Sequence, residues 1–354
     1  MKVFSGNLSD QNREYIREKV VEAKINSAEE NKINVRKESI TADSPIPFSI
    51  NQLWFELVDF EKQTFNDNAR TILSDLTVVG DPEKLISNEY SPAGMGNSAP
   101  FLNIRAKGLL SFLDSMRNKL NDSSYGFLFS PGKLTPDLKG KIDEDLDSMF
   151  FKWLGDKTPI TILDLSGIPS EIMASISGTL LKIIYDGLFW GVNTKVGGKS
   201  QPLLIVLEEA HSYLKAGEHS ISSRTVQMIA KEGRKYGVGL LLVTQRPSEL
   251  DETVLSQCGT MVALRMNNSK DRGHIRAAVQ DELQSMVDLL PSLRTGEALI
   301  SGEAVKIPSR VKFFKITNAP KSSDPKPSKR WLEKIDDPKE EYKNLLKSWR
   351  NKKI

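Results

Sequence analysis

Leu203-Leu204-Ile205-Val206-Leu207-Glu208-Glu209 is an apolar run of strand length that stops abruptly at two acids. An unbroken apolar strand is buried on both faces, which is the habit of a parallel sheet covered by helices. In open α/β sheets ligands gather beyond the carboxyl ends of such strands. A carboxylate there can hold Mg²⁺ through its water shell, and a second can orient or deprotonate an attacking water. Glu208 fits the first role and Glu209 the second. Two solvated acids opening a helix would look the same in these residues, because acids also suit a helix N-terminus.

The flanking sequence repeats the pattern. Pro159–Leu165 reads as a buried strand, with a turn at Ser166-Gly167. A helix then carries Ile172, Ile176, Leu180, Ile183 and Leu188, with Pro169 suited to its first turn. After the acid-tipped strand come a helix over 223–235 and a strand over 238–244. Shorter strands follow at 260–264, 296–300 and 311–316. Strands alternating with helices predict an α/β core with a mostly parallel sheet over 151–316. The strand over 238–244 runs into Thr244-Gln245-Arg246-Pro247, so Gln245 stands at the same sheet edge as the acids and can sense a γ-phosphate or position water. Arg234, in Glu232-Gly233-Arg234-Lys235-Tyr236-Gly237, can neutralise transition-state charge, or can simply close a helix as a solvated base.

Outside this core, residues 1–150 are charge-rich and mainly helical. Ile16, Val20 and Ala23 mark one amphipathic helix, and Leu109, Phe112, Leu113, Met116 and Leu120 form a stripe of helical period fit for a core. Residues 317–354 are a tail: Lys321–Arg330 is rich in Pro, Ser and Lys, a linker composition. Asp337-Pro338 then caps a helix whose face carries Tyr342, Leu345, Leu346 and Trp349. That face either docks on the core or meets another subunit. The tail's bases (Lys321, Lys326, Lys329, Arg330, Lys352, Lys353) alternate with acids such as Asp324 and Glu333, the pattern of a solvated surface.

Composition narrows the class without naming it. Charged residues make up 27% and hydrophobic ones 39%, ordinary values for a globular protein. A net charge of +3 permits a nucleic-acid partner but does not establish one. No uninterrupted apolar run has the length of a membrane span, and the N-terminus lacks the apolar stretch of a secretory signal. With one cysteine, Cys258, there is no internal disulfide framework. The expected compartment is the cytoplasm, with no membrane association. His211, His219 and His274 show no metal-ligand spacing, and Cys258 has no second thiol to join it.

Taken together and in order, three motifs are similar to those of the HerA branch of the HerA/FtsK motor ATPases. They are Leu207-Glu208-Glu209-Ala210-His211, then Glu232-Gly233-Arg234-Lys235-Tyr236-Gly237, then Thr244-Gln245-Arg246-Pro247-Ser248-Glu249-Leu250. The likeness continues through Leu255–Cys258, Ala263–Arg265, Asp271 and Thr295–Ala298, and ends near Ile307–Val311. It implies a RecA/ASCE-like fold and ATP hydrolysis with Mg²⁺. It also implies a homo-oligomeric, hexameric ring moving on double-stranded DNA, beside a nuclease partner in DNA-end repair or in anti-phage defence. By motif it assigns Glu208 and Glu209 as the Walker B pair and Gln245 as sensor. Arg234 is the first choice of arginine finger and Arg246 the second.

One element of that pattern is missing. A P-loop, G-x-x-x-x-G-K-[ST], follows a strand and opens a helix, so that its N–H groups cradle phosphate. Gly198-Lys199-Ser200 is the sole Gly-Lys-Ser/Thr triplet, yet Asn193 stands where the first glycine belongs, and the triplet follows a helix and leads into a strand. The resemblance therefore implies the C-terminal portion of a longer ATPase, opening on a helical insertion and lacking its P-loop strand, and inactive alone. Two other readings stay open: a non-catalytic assembly or regulatory subunit, and a secretion-type ring ATPase.

Overall fold

The computed structural model describes residues 8–96, 98–155, 158–215, 217, 220–278, 284–317, 327–331 and 337–350. They fall into two compact units, Met1–Ile172 and Met173–Ile354. His219, Lys321, Asp324, Lys326, Glu333, Lys352 and Lys353, and with them most of the linker stretch, lie outside the described residues.

In the first unit, Ser9 caps helix α1 (Asp10–Glu30) by accepting the Asn12 N–H, and Ser49 caps α2 (Ile50–Lys62) by accepting that of Gln52. Short antiparallel pairs follow, β1 (Thr64–Phe65) with β4 (Phe101–Leu102) and β2 (Leu76–Val78) with β3 (Glu89–Tyr90). Helix α3 (Leu110–Asn121) carries the expected stripe: Phe112, Leu113 and Met116 meet Trp54, Leu57 and Val58 of α2, with Ile16 of α1 in the same cluster. The Trp54 indole donates to the Leu113 carbonyl at 2.9 Å, so the polar edge of this buried ring is satisfied. The two-stranded pairs are additions that a mainly helical reading of 1–150 does not foresee.

Pro159–Leu165 is not a strand. Ile160 and Ile162 are 74% and 85% exposed, and no ladder partner exists for this run among the described residues. Apolar content alone does not make a strand, because its N–H and C=O groups need a neighbour. The turn after it is as expected, with Asp164 accepting the Ser166 N–H at 2.9 Å.

The second unit is built around β5 (Leu203–Leu207) and β6 (Val238–Leu242), paired in parallel from Leu203↔Val238 to Leu207↔Leu242. Helix α4 (Ser170–Trp190) is long and apolar enough to cross a membrane by length and composition. Its Leu181, Ile184, Tyr185 and Leu188 are nevertheless buried, as in a core helix. Helix α5 (Ile221–Glu232), capped by Ser220, crosses it where Gly178 comes so close that an added Cβ would clash with the Ser222 nitrogen. The Ser177 and Ser222 hydroxyls meet there at 2.9 Å.

Strands β7 (Thr260–Leu264), β8 (Glu297–Gly302) and β9 (Ser309–Lys312) form a separate sheet, antiparallel throughout. The class is α/β as expected, but parallel order is confined to β5–β6. The link 303–308 between β8 and β9 is too short for a parallel crossover, which needs about a dozen residues, so the connection length was the legible signal. Helix α6 (Ser269–Ala278) and residues 287–293 close one face of this sheet through Ile275, Val287, Leu290 and Leu293. In helix α7 (Pro338–Arg350), Tyr342, Leu345, Leu346 and Trp349 are all exposed, so that face docks on none of the described residues.

Candidate functional site at the carboxyl ends of β5 and β6

Parallel pairing in register fixes what meets at this edge. Leu207 and Leu242 end opposite one another, and the ladder runs on past both strands: the Val243 N–H donates to the Leu207 carbonyl at 2.9 Å and the Ala210 N–H to the Val243 carbonyl at 3.0 Å. Glu208-Glu209 and Thr244-Gln245 thereby emerge side by side.

Glu209 takes the left-handed conformation, φ 46° and ψ 45°. A non-glycine residue held there costs on the order of 1–3 kcal/mol and needs surroundings that enforce it. The enforcement is visible: the Ser212 N–H donates to the Glu209 carbonyl at 2.8 Å, and the Tyr213 hydroxyl donates to the Glu208 carbonyl at 2.8 Å. Tyr213 is buried, and desolvation followed by the charges of Glu208 and Glu209 pushes its phenol up to about 12.

The side chains then connect. Gln245 Nε2 donates to Glu209 Oε1 at 2.7 Å. His211 Nδ1 lies 3.4 Å from Glu209 Oε2 and 3.1 Å from Thr244 Oγ1. Thr244 Oγ1 also accepts the Arg246 N–H at 3.0 Å. Glu208 is exposed, and no hydrogen bond or ion pair holds its carboxylate among the described residues. The edge therefore offers one free carboxylate and one that is gripped by an amide, an arrangement suited to holding a hydrated cation beside a water-activating group.

Not every predicted residue joins them. Arg246 is engaged with Glu249, Nη1 to Oε1 at 3.0 Å, within its own turn. Arg234 is exposed in the 3₁₀ turn Gly233–Tyr236, which precedes β6, so it stands at the opposite end of the strand pair. A strand of this length sets it about 16 Å from the acid edge. Gly198-Lys199-Ser200 lies at that far end too, in turns between α4 and β5. Backbone at Gly198 meets backbone at Tyr236–Gly237 so closely that neither Gly198 nor Gly237 (φ 71°) has room for a Cβ, which makes this triplet a packing turn rather than a phosphate cradle.

Roles for Thr244, Tyr213 and Asp271 were not read from sequence. Asp271 is buried on α6 and accepts the Ser248 N–H at 3.2 Å, bracing the turn that follows Gln245. The sequence signal for Thr244 was its place, one residue before Gln245 at the strand end. Among the described residues no cluster of three or more His, Cys, Asp or Glu side chains could enclose a metal ion.

Residues 160–327 match the helicase HerA-like C-terminal family. The chain is 37% identical over 130 residues to a DNA double-strand break repair helicase HerA of Pyrococcus furiosus, covering 37% of this chain and 24% of that protein. With the protein of the same name from Sulfurisphaera tokodaii it is 34% identical over 188 residues, 53% of this chain and 38% of that one. The chain thus spans well under half the length of these curated relatives. Among solved structures, the genome packaging NTPase B204 of Sulfolobus turreted icosahedral virus 2, in complex with ATP-gammaS, is similar over 38% of this chain and 64% of that chain, at 14% identity and a TM-score of 0.31.

Proposed function

Because residues 160–327 match the helicase HerA-like C-terminal family, we propose that this chain is the Walker B and sensor portion of an ATP-driven translocase acting on double-stranded DNA. The observation that carries the reading is the Gln245–Glu209 bond across the ends of two parallel strands. In this proposal Glu209 takes the proton of the attacking water, and Gln245 holds its carboxylate until a γ-phosphate competes for the amide. Glu208 would hold Mg²⁺ through the ion's water shell. Hard carboxylate oxygens in a partly open site fit that ion, which coordinates one or two carboxylates together with nucleotide phosphates. Mg²⁺, when bound with ATP, supplies charge neutralisation at the phosphates.

Arg234 at the far end of the strands suits a finger that acts on the site of a neighbouring subunit in a ring, which we propose to be hexameric. Arg246, paired with Glu249, is the second choice. A cytoplasmic location and a nuclease partner, in repair or in defence, belong to the same proposal.

No segment of residues 1–354 matches a P-loop, so the chain by itself is expected to hydrolyse ATP negligibly. Joined to a polypeptide that supplies a strand followed by G-x-x-x-x-G-K-[ST], it is expected to become a DNA-stimulated ATPase. Glu209→Gln should then lower kcat by roughly 10²–10⁴-fold, the scale of losing a general base. Steady turnover by the isolated chain, abolished by Glu209→Gln, would overturn the inactivity. Absence of DNA stimulation in the joined protein would instead favour a secretion-type motor.

A further inference from the structure

The edge of β5 and β6 holds a histidine to which the proposed chemistry gives no task. His211 is largely buried, its side chain 17% exposed, and it points one ring nitrogen at two oxygens on two different elements. Nδ1 lies 3.1 Å from Thr244 Oγ1, on the extension of β6, and 3.4 Å from Glu209 Oε2, on the turn after β5.

The partners decide which nitrogen carries the proton. An ionised carboxylate only accepts, and a lone pair on Nδ1 turned toward Glu209 would set like partial charges against each other. A hydroxyl can either donate or accept, so Thr244 is indifferent. Only an Nδ1–H satisfies both neighbours at once. Glu209 Oε1 is already taken by Gln245. The second oxygen faces His211 at 3.4 Å, a charge contact beside the Nδ1–Thr244 hydrogen bond, so a proton on Nδ1 attracts the carboxylate on the side that Gln245 leaves open.

We infer that His211 is a positioning residue that carries its proton on Nδ1 and uses it to tie Glu209 to the Thr244 end of the neighbouring strand. If Gln245 turns away toward a phosphate, this second donor keeps the carboxylate oriented. That consequence rests on the proposed role of Glu209; the protonation pattern does not.

The test is long-range ¹H–¹⁵N spectroscopy of the nucleotide-free chain labelled at histidine, at a pH where the ring is neutral. The His211 signals are identified by their loss in His211→Asn. The expected spectrum places Nδ1 at the protonated shift and Nε2 at the unprotonated one, the reverse of the form imidazole prefers in water. Thr244→Val should keep that pattern, and Glu209→Ala should lose it, with circular dichroism reporting that each variant is folded. An Nε2–H ring in the unsubstituted chain would overturn the inference. So would a pattern that survives Glu209→Ala, or one that Thr244→Val alone abolishes. Because no turnover is measured, an inactive joined ATPase would leave this result standing, and an Nε2–H ring would leave the ATPase reading standing.

Discussion

The helix cluster of the first unit is buried, whereas the second unit leaves one face of its parallel pair bare. Leu113 is fully buried in a cluster to which α2 and α3 each contribute an apolar stripe and α1 adds Ile16. On β5 and β6, Leu204 is 60% exposed, Val206 48% and Leu241 47%, while Leu207 and Val238 are buried. A helix has one apolar stripe to cover, and three crossing helices cover one another's. An apolar strand in a parallel sheet has two faces to cover, and these strands have their apolar side chains on both. Stability in this molecule is thus concentrated in helix contacts, and the proposed chemistry sits on a sheet whose edge and one face remain open.

The contrast can be tested by substitution. Leu113→Ala should cost about 2–5 kcal/mol of stability in denaturant unfolding, the range for truncating a fully buried leucine. Tyr213→Phe comes next, at about 1 kcal/mol for one lost hydrogen bond, and it also changes the response to alkali. Folding raises the Tyr213 phenol from 10.0 to about 12. Its stabilising contribution is therefore complete below the unfolded value near 10 and is lost as pH climbs through about 12. Tyr90 in the first unit is raised to about 12 as well, by burial and by its hydrogen bond to Asp59. Alkaline unfolding curves of Tyr213→Phe, Tyr90→Phe and the double variant should flatten stepwise, and a single substitution that removes the whole slope would break the parallel between the units. The smallest effect is expected at Val206→Ser, within about 0.5 kcal/mol as for other exposed positions. A loss several times larger would mean that this face is covered in solution.

Much of this was legible from residue pattern. The α3 stripe is legible because 3.6-residue spacing maps directly onto one helix face, and the β5 acids because an apolar run ending in charge marks a strand end. Strand direction at β7–β9 was not, since hydrophobicity says nothing of polarity along the chain; the short 303–308 link settles it for β8 and β9, but the long connection 265–296 leaves β7 and β8 open in either direction. Pro159–Leu165 misled because strand formation depends on a partner outside the window being read. The contact of His211 with Thr244 was hidden for a related reason: it joins positions far apart in the chain through a register that only pairing reveals. Arg234 was read from its motif as able to neutralise transition-state charge, but motif order does not show where it stands: the helix-to-strand turn that carries it lies at the opposite end of the strand pair from the acids.

The left-handed backbone at Glu209 has a consequence for sequence variation. In a saturation library at this position scored only for foldedness, Gly, Asn and Asp should be enriched, and Val, Ile and Thr depleted, because β-branched side chains are the least at ease with positive φ. Scored for turnover in a joined ATPase, the same library should retain glutamate. Selection for folding and selection for catalysis then favour different residues at one codon, and the distance between the two winners measures how much conformational strain the site tolerates for its chemistry.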